Sequence, residues 1–161
     1  MNAISKVELI KNSPLGKDLS PAHCETLAAI IEVRDLKKGE ELLSEGHVDH
    51  TLYVPISGKI SVIKDSGGGQ EDQLHVLVPG ELAGAMGFLD GKEHSATLRA
   101  LTDTQVFCIE QSKFETLVSS EPTIVYQVMR SIVRDIHGIV KTMNNSHVEL
   151  SNYINKQHGR Y

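Results

Sequence analysis

The chain has 161 residues, 40% of them apolar and 23% charged, which is the usage of one folded domain and excludes wholesale disorder or collagen-like structure. A chain of this length buries about 70% of its unfolded surface, enough for a hydrophobic core. Its net charge of −5 divides into 18 acids and 11 bases over residues 1–120 and three and five over residues 121–161, which excludes a surface built to neutralise the phosphates of DNA.

Elements follow in chain order. The run from Ile4 to Ile10 offers a short helical stripe. Ser20-Pro21 starts a second helix, with Ser as N-cap, Pro at the first helical position and Leu27, Ile30 and Ile31 at helical spacing. From Val33 the punctuation becomes that of a β-protein. Turn signals fall at Lys38-Gly39, Glu45-Gly46, Ser57-Gly58, Gly67 to Gly69, Pro79-Gly80 and Gly91, with short apolar alternations between them. That spacing predicts a sandwich, barrel or jelly roll. Gly67-Gly68-Gly69 reads as a hairpin tip, since no helix start follows it.

Beyond Ile109 the pattern turns helical again. Ser112 is placed to cap a short helix carrying Phe114, Leu117 and Val118. Glu121-Pro122 then opens a long helix running to about Ile154. Its apolar residues fit four heptads: Met129, Ile136, Met143 and Leu150 at one core position, and Val125, Ile132, Ile139, Ser146 and Tyr153 at the other. We expect its first turns to pack on the body and the rest on a partner helix in a homodimer. The chain thus divides into a mainly β body with flanking helices, residues 1–120, and a helix with a polar tail, residues 121–161.

Cys24 and Cys108 lie far apart and outside any CxxC pattern, so they read as small buried hydrophobes in a reducing compartment. No apolar run approaches 18 residues and no signal-peptide h-region opens the chain; the expectation is a cytoplasmic protein without a membrane partner.

The stretch Pro79–Ala100, PGELAGAMGFLDGKEHSATLRA, reads as a turn, a glycine-rich bend, a short helix from Gly84 to Leu89, another glycine turn and a strand. A glycine-opened helix start presents free amides to an anion. Together with EGHVDHTLYVPISGKISVIK at residues 45–64, this stretch resembles the cyclic-nucleotide-binding domain family, the sensor fold of catabolite-activator-like regulators. The matching positions are Gly39, Glu45, Gly46, Asp49, Leu52, Tyr53, Gly58, Val62, Pro79, Gly80, Gly84, Ala96 and Ala100. The resemblance covers about Leu19 to Val140 and implies an eight-stranded double-sheet jelly roll with a long C-terminal dimerisation helix.

It also implies a phosphate-binding cassette at Gly84, Ala85, Met86, Gly87, His94, Ser95 and Ala96. Two of these positions depart from the family pattern. The Glu that accepts the ribose 2′-hydroxyl is Ala85 here, and the Arg that holds the cyclic phosphate is His94. Each lost charge-assisted hydrogen bond is worth roughly 1.5–3 kcal/mol, so the cassette is degenerate and a nucleotide is held weakly, if at all. Arg99, beyond the cassette, reads as a surface residue. The helix-turn-helix of such regulators would follow the long helix, and NKQHGRY at residues 155–161 is too short for one, so direct DNA binding by this chain is not expected.

The reading is therefore a non-catalytic sensor module with a small anionic ligand and no cofactor or metal. One alternative is a cupin-like metalloenzyme using His47 and His50, which bracket Asp49, with His75 and His94, although a cupin site wants a His-x-His pair and His47 and His50 are three apart. The other is a ligand-free dimeric scaffold.

Overall fold

The computed structural model describes residues 4–158. Helices α1 (Lys6–Lys11) and α2 (Pro21–Ala28) flank a 3₁₀ turn at Pro14–Gly16. Strands β1 (Glu32–Leu36), β2 (Glu41–Leu43), β3 (Thr51–Ser57), β4 (Ile60–Gly67) and β5 (Gln70–Leu77) precede α3 (Ala85–Asp90). Then come β6 (Thr97–Ala100), β7 (Thr104–Glu110), α4 (Gln111–Glu115), α5 (Leu117–Ser120) and α6 (Pro122–His158). Ser20 caps α2 as its position predicts, its hydroxyl accepting from the His23 amide at 3.2 Å.

Two antiparallel sheets, ordered β1-β7-β3 and β2-β6-β4-β5, form the jelly roll. Among the described residues there are seven strands, not eight; the stretch after β5 contributes only an isolated bridge, Ala83 to Tyr53. The β4–β5 hairpin turns on Gly67, Gly68 and Gly69, all at positive φ, as the glycine run predicts.

The β1-β7-β3 sheet is covered on both faces. Leu52, Val54, Phe107 and Ile109 pack under the helices with Ile10, Leu15, Leu27, Ile31, Phe114, Ile124, Val128 and Ile132. Tyr53, Val106 and Cys108 alternate to the other face and meet Leu43, Ile60, Leu77 and Leu98 inside the jelly roll. Each fully buried Leu, Ile or Phe contributes about 1.5–3 kcal/mol, so the helices are fastened to the sheet by burial.

Two local expectations are corrected. Helix α2 stops at Ala28, and Ile31 is buried just ahead of β1. Ser112 lies inside α4, whose N-cap is Glu110 without a side-chain cap bond; β7 runs directly into the helix and leaves no room for a separate cap.

The larger correction concerns α6, a 37-residue rod about 55 Å long. Its inward row is Ile124, Val128 and Ile132, all fully buried against the body, and half-buried Val125 packs there too. Ile132 is therefore not a seam residue. The outward stripe is turned by one residue, about 100° of helix: Tyr126 and Val133 are 61% and 60% exposed, and Val140 and Met143 are 47% and 65% exposed. Met129, Ile136, Met143 and Leu150 belong to both rows. On the outward row they alternate with Tyr126, Val133, Val140 and His147, and Ile139, 51% exposed, lies beside that row. The physical reason is burial: the body takes up Ile124, Val128 and Ile132 wholly, and Met129 and Ile136, which also pack on it, only in part. Tyr153, placed in the seam by the sequence pattern, has a side chain outside the described residues.

Both cysteines are buried, and burial raises both thiols, Cys108 to about 11. Native protein at about pH 8 is expected to show no fast reaction with a chromogenic disulfide reagent, and two equivalents after unfolding. A fast native equivalent contradicts this burial.

No helix among the described residues is long and apolar enough to cross a membrane.

Candidate functional site

The cassette is assembled on β3. The Ala83 amide donates to the Tyr53 carbonyl at 2.8 Å and the Tyr53 amide to the Ala83 carbonyl at 2.9 Å, which fixes the chain entering α3. Gly84 then takes a left-handed conformation (φ 76°, ψ 14°) as N-cap of α3. A Cβ there would lie 2.9 Å from the Thr51 carbonyl oxygen and 3.4 Å from the Tyr53 ring. The first three amides of α3, on Ala85, Met86 and Gly87, have no partner within the helix by geometry. Ala85 is half-buried and packs toward the body, whereas Met86 is exposed.

His94 reaches this helix from across the turn at Gly91. A Cβ on Gly87 would sit 2.8 Å from His94 Cε1 and 2.7 Å from the Asp49 carbonyl oxygen, so the imidazole lies against the backbone of α3. The His94 backbone is held at both ends, its amide donating to the His47 carbonyl and its carbonyl accepting from the Gly46 amide, each at 2.9 Å. His94 Nε2 is nevertheless buried with no hydrogen-bond partner, the one such side-chain nitrogen or oxygen among the described residues.

Ser95 is exposed, and its carbonyl accepts from Lys64 Nζ at 2.9 Å. Lys64 also pairs with Glu45 at 2.6 Å, and that hydrogen bond holds the Glu45 carboxyl below the usual carboxylate range. The Glu45 amide donates to Thr97 Oγ1 at 3.0 Å. Gly84 to Gly87 and His94 to Ala96 are thus tied to one loop, residues 44–50.

Asp49 and Tyr53 belong to this floor although the sequence assigned them no role at the site. Tyr53 is buried, and its hydroxyl donates to Asp49 Oδ2 at 2.6 Å. Burial, and then that bond, push the phenol far above its ordinary pKa, so it remains a donor. Their four-residue spacing across the start of β3 was the available signal. A second missed residue is Asp135 of α6, half-buried, whose carboxyl lies near enough to the Leu82 amide at the entrance of the cassette to be lowered by it. Burial raises its carboxyl.

Arg99 points outward, as expected, to Glu41 at 2.9 Å and Glu71 at 2.9 Å. The histidines of the metalloenzyme alternative do not converge on a metal site. His47 and His50 are exposed, His50 lies against Gly91, and His75 pairs with Glu81 at 2.9 Å. No group of three or more His, Cys, Asp or Glu able to hold a metal occurs among the described residues.

Residues 33–121 match the family model described as "Cyclic nucleotide-binding domain". The chain belongs to this family. It is 30% identical over 125 residues to the cyclic AMP receptor protein of Thermus thermophilus, covering 78% of this chain and 58% of that protein. It is 26% identical over 132 residues to the cAMP-activated global transcriptional regulator of Escherichia coli O157:H7, covering 81% and 63%. The chain thus spans about three fifths of the length of these curated relatives. A crystal structure of a cyclic nucleotide-binding domain from Methylobacillus flagellatus superposes with a TM-score of 0.82 at 19% identity, over 89% of this chain and 83% of that one. That of the Thermus thermophilus catabolite activator protein gives 0.69 at 26% identity, over 83% and 63%. The family is a regulatory one.

Proposed function

We propose that the chain is a non-catalytic sensor module that takes a cyclic nucleotide, or a similar small phosphate-bearing anion, weakly at its cassette and passes the occupancy to α6 in a homodimer. The observation that carries this reading is His94 Nε2, a buried ring nitrogen left without a partner where the family resemblance expects the phosphate. Gly84 and the amides of Ala85, Met86 and Gly87 would line the anion, with the Ser95 hydroxyl and the Ala96 amide beside it. The Asp135 contact with the Leu82 amide offers the route to the helix. A ligand acts along it only by binding one helix arrangement better than another.

The homodimer rests on the outward stripe of α6. Tyr126, Met129, Val133, Ile136, Val140, Met143, His147 and Leu150 repeat at alternating spacings of three and four, apolar but for His147, which is the pattern a second copy of the same helix fits. Near its start the stripe forms a shallow groove of about 350 Å³ lined by Tyr126, Met129 and Val133 together with Arg130 and Arg134.

Calorimetric titration with cyclic AMP and cyclic GMP tests the ligand. Wild-type protein should bind near the millimolar range. Introducing His94→Arg with Ala85→Glu restores two charge-assisted bonds and should tighten binding by two to four decades, or about 3–6 kcal/mol. No heat for either protein at millimolar ligand overturns the reading. One observation favours the scaffold alternative: Leu43, Tyr53, Leu98 and Cys108, each no more than 6% exposed, fill the jelly-roll interior. That alternative expects no heat in both titrations.

A further inference from the structure

We propose that the dimer seam of α6 carries an acid-sensitive break at His147, a device that rests on the homodimer reading above and adds regulation to it. The rotated register puts a histidine in the stripe. Counting outward positions by sevens from Tyr126 through Val133 and Val140, the next is residue 147, between Met143 and Leu150 on the same face. The register expected from sequence alone would have placed Ser146 there and left His147 on the flank.

His147 is exposed in the second half of α6, beyond Ile136, the last helix residue that packs on the body core. Pairing with a second helix therefore takes this imidazole from water into an apolar seam. A neutral imidazole tolerates the move; an imidazolium does not, because burial disfavours the charged form. Acid has no neighbour to offset that cost. The residues flanking position 147 on the seam are Asn144, Ser146 and Ser151, all uncharged, and Glu149 lies round the helix from the stripe. The nearest seam-flanking ionisable groups toward the body are His137 and Arg130, which add positive charge. In a parallel pair His147 also meets its own copy, so two cations would face each other. In an antiparallel pair the flanks near Val133 are Arg130 and His137, and again no carboxylate is present.

The linkage has one sign. The dimer holds fewer protons than two free chains, so lowering the pH drives dissociation. One pH unit below imidazole's ordinary pKa of about 6.5, about nine-tenths of free imidazoles are protonated. Each must be discharged on pairing, a factor of about 10 per chain and about 100 per dimer.

Sedimentation equilibrium of the full chain at about pH 8 and about pH 5.5 tests the device, with His147→Leu and His137→Gln beside wild type. The expected result is a dissociation constant about 100-fold higher in acid for wild type, nearly pH-independent for His147→Leu, and still strongly pH-dependent for His137→Gln. Circular dichroism at both pH values confirms that helix content is kept. A wild-type dimer equally tight at both pH values overturns the acid break and leaves the homodimer intact. So does a His147→Leu protein that dissociates in acid as wild type does. A monomer at about pH 8 and tens of micromolar overturns the homodimer reading, and the break with it.

Discussion

Ile132→Ala is expected to lower the unfolding free energy by about 2–5 kcal/mol, while Val133→Ala, the next residue, changes it by no more than about 0.5 kcal/mol. Ile132 is fully buried among Ile124, Val128 and the helix-covered face of the sheet, so alanine leaves a cavity that packed neighbours cannot close. Val133 is 60% exposed and touches the outward groove. Because a dimer's stability depends on protomer concentration, both substitutions belong in a background carrying Met143→Glu, which puts a charge in the seam far from the body. Urea unfolding there isolates the body. In the otherwise wild-type chain the pattern should reverse for association: Val133→Ala weakens the dimer, and Ile132→Ala acts mainly through stability. If Val133 carried the stability and Ile132 the association, the register expected from the heptad pattern would be right and the one-residue rotation wrong.

That pair of neighbours shows where sequence stops being informative. Periodicity finds α6 and its length because a 3.5-residue repeat survives any rotation of the helix. It does not say which of two adjacent rows faces which surface, since 125/132/139 and 126/133/140 are both apolar. Only the body, claiming Ile124, Val128 and Ile132, breaks the tie. The sheets were legible for a related reason. Turn residues mark strand ends whatever the packing, and the three glycines at 67–69 sit at positive φ at the tip of their hairpin. Ser112 misled because a strand running straight into a helix needs no separate cap.

At the cassette the glycine spacing was readable, and Gly84 opens α3 where it predicts. The placing of His94 against Gly87 was not, nor was the Asp49–Tyr53 bond beneath, because both depend on loop 44–50 folding over the helix start. The sequence states which groups the cassette has lost. Packing states what fills their place: an imidazole with one nitrogen still open.

Gly84→Ala is the sharper test of that arrangement, with an expected loss of about 2–5 kcal/mol. Two costs combine. An L-residue held at φ 76° sits in the left-handed region, at about 1–2 kcal/mol. Its Cβ also meets the Thr51 carbonyl oxygen at 2.9 Å, and that oxygen belongs to β3, which is paired along its length with β7. A strand cannot give way as a side chain can, so overpacking adds about 1–3 kcal/mol. Gly91→Ala is the control. It too is left-handed, at φ 64°, but its Cβ would meet the ring of His50, an exposed side chain free to turn aside. Its loss should stay near the backbone cost alone, about 1–2 kcal/mol. Chemical denaturation of both variants at one protein concentration measures the difference. Equal losses would mean that β3 does not press on Gly84, and the cassette would then be held by something other than the Ala83–Tyr53 stitch. A larger loss at Gly84, accompanied by disappearance of nucleotide heat in the His94→Arg, Ala85→Glu background, ties the left-handed turn to the anion site: α3 can present its free amides only where the chain enters it through a residue without a side chain.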